Sequence, residues 1–327
     1  MSPKVSIIVP MYNVELYIRR CAESLFEQSF KDVEYIFVDD CSQDNTIALL
    51  NEVIDQYHVS EKVTLERFDE NKGLAATRWR GLQLARGEYV AQVDSDDHVT
   101  NDYIEMLLGK AEIDNSDIVI CDYVYEHATR CVVCHENPPT DKSKCFAKLM
   151  SGELRNAVWN KLIRRELYVK HDIHPVPGIN MFEDKTVMFQ LFYYCKKVSY
   201  VGKPLYYYNR TNANSIVSQD KLKLINPSIS VIKIIRTFFD DKQLCPEVKR
   251  GIEFFIVGVM GHILLYGSKG IIEKNKDLIG KPTISNILLQ PVIPFYYKLI
   301  VLAYRCHLNF LIPPIKNLIG WVRHFRY

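Results

Sequence analysis

The sequence predicts an α/β protein: a mostly parallel sheet with helices on both faces, followed by a helical, basic C-terminal region. Three observations carry that prediction. Short β-branched runs alternate with segments of helical spacing from Val5 to about residue 121. Polar and acidic residues gather just past four of those runs. After residue 218 the chain becomes apolar, basic and helical in its spacing.

Val5-Ser-Ile-Ile-Val9 reads as a buried strand, and Val14 to Gln28 follows as a helix with Ile18, Ala22, Leu25 and Phe26 on one face. Val33 to Val38 is the second strand, after which Asp44 or Asn45 can cap a helix carrying Ile47, Leu50, Ile54 and Tyr57. Val63 to Phe68 is the third strand, Leu74 to Ala85 a helix stopped by Gly87, and Tyr89 to Val93 the fourth strand. A helix carrying Ile104, Leu107, Leu108 and Ala111 leads to a strand at Ile118 to Cys121. From Glu126 to Lys144 no period is legible. Val158 to Arg164 reads as helical, Pro175 to Gly178 as a turn, and Phe182-Glu183-Asp184 opens a helix through Phe192. The division expected is an α/β domain over 1–218 and a helical region over 219–327 that associates with membrane or with a second copy. No internal repeat is present.

A chain of 327 residues can bury one large core, or a domain and an appendage, and its composition excludes disordered and fibrous classes. A formal net charge of +2 is too small for a nucleic-acid binder, yet the charge is uneven. No Asp or Glu follows Asp277, whereas Lys281, Lys298, Arg305, Lys316, Arg323 and Arg326 do. Nine cysteines without framework spacing, and an N-terminal MSPKVSIIVP lacking the pattern of a secretion signal, predict a reducing cytoplasm. Cys131-Val-Val-Cys134-His135 matches a haem-attachment string, but covalent haem needs an exported chain, and no second Cys or His pair stands at zinc-finger spacing.

In a parallel sheet, ligands collect beyond the carboxyl ends of the strands. There the sequence places Pro10-Met-Tyr12-Asn13, Asp39-Asp40-Cys-Ser42, Asp69-Glu-Asn71-Lys72-Gly73 and Asp94-Ser-Asp96-Asp97. Like charges as close as Asp94, Asp96 and Asp97 need a cation, basic partners or raised pKa values. On an extended strand end Asp94 and Asp96 point the same way, which suits Mg²⁺ or Mn²⁺ shared with substrate phosphates. A solvated turn capping the next helix accounts equally well for the same four residues. Asp39 and Asp40 can accept hydrogen bonds from a nucleobase and ribose, Tyr12 offers a face for stacking, and Arg78 and Lys72 can offset phosphate. Each also has a plain reading as a turn, a rim aromatic or a surface ion pair.

Taken together, SIIVPMYN, VDDCSQDNT, DENKGLAATRWRGLQLARGEYV and VDSDD resemble the nucleotide-binding half of family 2 glycosyltransferases of the GT-A fold, in this order and spacing. The likeness is dense over about the first 120 residues. It continues loosely to about residue 218 through VWNKLIRRELY, PGINMFEDKTV and PLYYYNRTNANSI, which look like acceptor-side motifs of bacterial members. The resemblance implies that Tyr12 and Asp39 hold uracil, with Pro10 shaping the loop, and that Arg78 contacts the nucleotide. It implies that Asp94 and Asp96 form the DxD pair, Asp94 toward the ribose and Asp96 toward a Mn²⁺ or Mg²⁺ ion on the diphosphate. Asp184, second in Glu183-Asp184, resembles the catalytic base of inverting members. Asp40, Asp97, Lys161, Glu183, Arg210 and Ser215 are further substrate-binding candidates, each with a reading as a solvated face or loop.

The implied activity is inverting transfer of one sugar from a nucleoside diphosphate, with UDP favoured, to a hydroxyl of a glycan or polyprenyl-linked acceptor in capsule, exopolysaccharide or lipopolysaccharide synthesis. Asp184 would take the acceptor proton; as a helix N-terminal acid it also has a structural reading. Two departures stand out: His98 replaces the usual aromatic or aliphatic residue, and no QxxRW string supports a processive synthase.

Gly251 to Gly267, Pro291 to Tyr304 and Leu308 to Trp321 are apolar but interrupted, and none reaches the ~20 clean residues of a spanning helix. Tyr296, Tyr297, Trp321 and Phe325 among basic residues suit helices lying at an anionic membrane, at the inner face of the cytoplasmic membrane. A packed helical subdomain and a homodimer contact are the other readings. A sugar-nucleotide nucleotidyltransferase would need a Gly-rich basic loop that PMYNVELY lacks. A phospho-acceptor receiver domain would end near residue 120. An inactive GT-A-like membrane scaffold would not need Asp94, Asp96 and Asp184.

Overall fold

The computed structural model describes residues 2–212, 222 and 224–316. The chain divides into two compact units, Met1–Lys142 with Asn156–Ser215, and Ser143–Arg155 with Ile216–Tyr327.

The first unit opens with β1 (Val5–Met11), α1 (Ile18–Phe26), β2 (Val33–Asp39), α2 (Thr46–Tyr57), β3 (Val63–Arg67), α3 (Leu74–Leu84) and β4 (Tyr89–Gln92). Strands β3, β2, β1 and β4 lie side by side and parallel, with Ile7 opposite both Tyr35 and Ala91. Every residue of β1 and β2 is buried, as the largely apolar runs of strands covered on both faces lead one to expect, with Ser6 donating to the buried Glu34 carboxylate at 2.7 Å. Val5, Ile7, Val9 and Met11 join the core that contains α1 and Leu50 and Val53 of α2. On the opposite face a Cβ at Gly81 of α3 would come 2.3 Å from Ile8 Cγ2, so only glycine lets this helix approach so near.

The sheet continues through β5 (His98–Val99), α4 (Tyr103–Asp114), β6 (Ile118–Glu126), β7 (Cys131–Cys134), β8 (Lys161–Arg164), α6 (Arg165–Lys170), α7 (Glu183–Tyr194) and β9 (Val198–Asn209), while α5 (Lys142–Ser151) belongs with the second unit. Beyond β4 the order is β8-β6-β9-β5, with β7 alongside β6. Two expectations are corrected here. Lys161 to Arg164 is not helical but a strand antiparallel to β4 and β6, with Leu162 and Ile163 both fully buried. Four residues are too few to display a strand period, and pairing on both edges overrides local propensity. Asp94 to Asp97 is not an extended strand end but a turn, closed by the Asp97 N–H donating to the Asp94 carbonyl at 3.0 Å. The haem-like string forms β7, and His135 Nδ1 lies 2.7 Å from the buried Asp122 carboxylate. Among the described residues no three His, Cys, Asp or Glu side chains come together as a metal-binding group.

In the second unit, α8 (Ile225–Phe239), α9 (Pro246–Tyr266), α10 (Lys269–Lys274), α11 (Lys276–Ile279), α12 (Ile284–Leu289) and α13 (Phe295–Arg305) pack with α5. Val257, Met260, Ile263 and Leu264 of α9 are fully buried, so its apolar character is spent on a protein core. Among the described residues no helix is long and apolar enough to cross a membrane. Ser215, Trp321 and Phe325 lie outside the described residues.

Candidate active site

The polar ends of the parallel strands fasten one another. Asp39, at the end of β2, is fully buried; its carboxylate accepts from the Ser42 hydroxyl at 2.5 Å and the Ser42 N–H at 3.1 Å, and Arg67 Nε lies 3.2 Å away. Ser42 Oγ in turn accepts from the Asn13 N–H at 2.9 Å, which ties the loop after β1 to the loop after β2. Pro10 is buried on β1 opposite Val38, whereas Tyr12 is 48% exposed on that loop. Asp40 spends both oxygens on backbone, accepting from Lys72 N–H at 2.7 Å and Gly73 N–H at 2.8 Å. It thereby holds the turn before α3, where Gly73 has a φ of +85°.

Asn180 closes over that turn. Its Oδ1 accepts from Ala75 N–H at 3.3 Å, and a Cβ on Gly73 would collide with its amide. Two residues later Phe182 adopts a left-handed φ of +67°, unusual for an aromatic side chain, at the start of α7. The next residues are Glu183 and Asp184.

Arg78, on α3, is the centre of the arrangement. Its buried guanidinium pairs with Asp94 Oδ1 at 2.7 Å and with Asp184 Oδ1, and lies 3.5 Å from Glu183 Oε1. Its Nε is buried without a hydrogen-bond partner among the described residues. Burial, reinforced by the Asp184 charge and opposed by Arg78, raises the Glu183 carboxyl above the ordinary carboxylate range.

Each carboxylate of the DSDD turn has a different holder. Asp94 meets Arg78. Asp96 accepts from Asn212 Nδ2 at 2.8 Å. Asp97 is buried and bound to β9, accepting from the Tyr206 hydroxyl at 2.6 Å and the Asn209 N–H at 2.7 Å. The Tyr206 oxygen also accepts the Asp94 N–H at 3.1 Å. Burial first, and then the Asp94 charge, raises the Asp96 carboxyl; Asp97 is raised further by burial and by both neighbours. A cation would reverse the repulsion at Asp96, and a Mg²⁺-like ion asks only one or two carboxylates of a protein when substrate phosphates complete its shell. Asp94 and Asp96 fit that demand. A cleft of about 440 Å³ opens beside Asn13, Glu15–Tyr17, Gln43–Asp44 and Thr211–Asn212, so Asn212 both lines it and holds Asp96.

Other candidates stand apart. Lys161 is fully buried within the sheet and donates to the Ala157 carbonyl at 2.8 Å and to Asn160 Oδ1 at 2.6 Å, which places it away from the solvent-facing rim. Arg210 is exposed just past β9, its guanidinium 5.5 Å from the Tyr125 ring. Sequence reasoning missed Tyr206, Asn209, Asn212 and Asn180. The apolar-aromatic run of β9 signalled a strand at most, and nothing local marks a tyrosine or asparagine as the partner of a carboxylate about a hundred residues upstream.

Residues 6–170 match the family Glycosyl transferase family 2. EpsH of Bacillus subtilis (strain 168), which carries a glycosyltransferase name, is 32% identical over 265 residues, covering 78% of this chain and 75% of that protein. The crystal structure of S. aureus TarS 1–349 in complex with UDP-GlcNAc superposes with a TM-score of 0.73 at 20% identity, over 93% of this chain and 92% of that one. The mannosyltransferase PcManGT from Pyrobaculum calidifontis, solved with GDP-Man and Mn²⁺, gives 0.53 at 14% identity, over 94% and 88%. These structural likenesses carry the fold, a GT-A-like sheet with a C-terminal helical region.

Proposed function

The chain belongs to glycosyl transferase family 2, and on that premise we propose that it is an inverting enzyme transferring one sugar from a UDP-sugar to a hydroxyl of a glycan or lipid-linked acceptor. The observation that carries this reading is the buried Arg78 guanidinium, which joins Asp94 of the nucleotide side to Asp184, 106 residues beyond Arg78. An inverting displacement needs a base and a donor held in one frame, because the acceptor oxygen must attack in line with the departing diphosphate.

In this reading Asp184 takes the acceptor proton, and the raised Glu183 carboxyl beside it weakens the competition for the Arg78 charge. Asp39 and Tyr12 receive the uracil, with Pro10 setting the loop and Asp94 near the ribose. Asp96 would hold Mn²⁺ or Mg²⁺, whose chemistry is to stabilise the charge developing on the leaving diphosphate. The buried, unused Nε of Arg78 is a donor that substrate oxygen would satisfy. Asp40 and Asp97 serve by fixing the two loops. Inversion follows from a single displacement by a single base, so an α-linked donor gives a β-linked product.

The acceptor belongs to capsule, exopolysaccharide or lipopolysaccharide synthesis, and the enzyme works at the cytoplasmic face of a membrane; the basic, acid-free stretch after Asp277 supports that placement. The test is nucleotide release from UDP- and GDP-sugars with and without Mn²⁺, comparing the intact chain with Asp96→Ala and Asp184→Asn. Metal-dependent release from one UDP-sugar, lost in Asp96→Ala, is expected. Release from GDP-sugars alone would overturn the uracil assignment, and equal turnover in Asp184→Asn would remove the base.

A further inference from the structure

We infer that the ridge formed by α12, α13 and the turn at Asn309–Leu311 is a docking surface for an anionic lipid bilayer. The inference deepens the membrane placement proposed above, but its test is independent of the donor chemistry. Both helices are already anchored on one side: Ile287, Ile300 and Val301 are fully buried. Their other sides carry large apolar residues that the fold leaves in water. Leu288 and Leu289 end α12; Phe295 and Leu299 stand one turn apart on α13; Phe295 is 69% and Phe310 70% exposed. Exposed aromatics clustered on adjoining elements, after the core is filled, mark a surface that meets something apolar.

Charge selects the partner. Lys281 is exposed just before α12, and the Lys298 ammonium reaches the Leu288 carbonyl at 2.8 Å, setting a cation between the two apolar rows. Arg305 Nε donates to the Pro282 carbonyl at 3.2 Å. No carboxylate follows Asp277 in the sequence. Those nearby are turned to other tasks. Glu253 accepts from Asn286 Nδ2 at 2.7 Å, and Glu273 and Asp277 act on Tyr304, nine residues on from Phe295 and so on the opposite side of α13. A two-fold contact between copies would set this patch against itself, lysine facing lysine with no acid to pair. A bilayer with anionic headgroups offers hydrocarbon to Phe295 and Leu288 and phosphate to the cations, as for helices lying in an interface.

The experiment is co-sedimentation of the full chain with phosphatidylglycerol-containing vesicles and with pure phosphatidylcholine vesicles at physiological salt. Wild type is expected to partition onto the anionic vesicles roughly ten-fold better than onto the neutral ones. Leu288→Ser/Phe295→Ser should lose about ten-fold or more of that binding, and Lys281→Gln should weaken it in a salt-dependent way. Nucleotide-sugar turnover in solution and the circular-dichroism melt should stay at the wild-type values for these variants. If the double variant does not fold, Phe310→Ser provides the same comparison from the turn. Wild type that stays in the supernatant, or variants that sediment like wild type, would overturn the inference. So would a dimer in sedimentation equilibrium that the double variant dissociates, because the ridge would then belong to a second copy.

Discussion

Arg78 and Asp184 form an ion pair inside the protein, the guanidinium buried and shared with Asp94. A buried cation with several acidic partners is costly to break from one side, because the carboxylates left behind keep their desolvation and lose their compensation. Arg78→Met is therefore expected to cost about 3–5 kcal/mol of stability by urea unfolding, with activity lost. Arg78→Met combined with Asp184→Asn should cost less than the sum of the two, since the second change removes a charge the first left unpaired. Additive costs would show that the pair is not coupled in solution.

The acids of the DSDD turn should respond in opposite ways. Asp97 is raised by burial and by Asp96 and Asp94, so the folded state binds its proton more tightly than the unfolded chain does. Stability from that difference is present at low pH and declines as pH rises through the range above the ordinary carboxylate value. Asp97→Asn, which keeps an oxygen for Tyr206 or Asn209, should thus gain on wild type as pH rises, with turnover reduced less than ten-fold. Asp96→Asn should abolish metal-dependent turnover with little change in melting temperature. Tyr206→Phe, which strips Asp97 of a donor and Asp94 N–H of its acceptor, should cost about 1–3 kcal/mol.

These contrasts show where the sequence is legible. Alternating β-branched and helical runs place β1 to β4, and a parallel sheet then dictates that Tyr12, Asp39, Gly73 and Asp94 crowd one rim; periodicity and topology suffice. They do not suffice for Lys161, whose strand has four residues and takes its conformation from its neighbours. Nor do they distinguish Asp96 from Asp97, adjacent in sequence, because what separates them is Asn212 on one and β9 on the other. A residue's partners across a hundred positions are set by tertiary pairing, and a single sequence carries no local trace of them.

Gly73 is held by backbone requirement more than by space. At φ +85° a side chain is strained wherever it points, and a Cβ there also meets the Asn180 amide. Gly73→Ala is expected to cost about 1–3 kcal/mol, and Asn180→Ala in the same chain should leave most of that cost in place. Asn180→Ala alone should lower kcat and raise KM for donor together, because Asn180 ties the segment leading to Asp184 to the turn at Gly73 on the nucleotide rim. Full recovery of stability in the double variant would mean that the clash, and not the φ angle, was the constraint.

His98 should set an acid limb of stability. Its ring stacks on Tyr207, its Nε2 lies 2.9 Å from Arg20 Nη2, and its Nδ1 is 3.9 Å from Glu126. Burial first and the Arg20 charge second push it down to about 4, against the opposing pull of Glu126. Protonation would also break the bond that Arg20 donates to Nε2. The folded state therefore disfavours the proton relative to the unfolded chain, so stability is lost as pH falls from the ordinary histidine value near 6.5 toward 4. One proton bounds this contribution at about 1.4 kcal/mol per pH unit, and solvent at a partly open site reduces it. His98→Phe keeps the stacking and removes the titration. Its unfolding free energy, followed by urea titration from pH 7 to 4, should fall less steeply than that of wild type; parallel curves would assign the acid limb to the carboxylates instead.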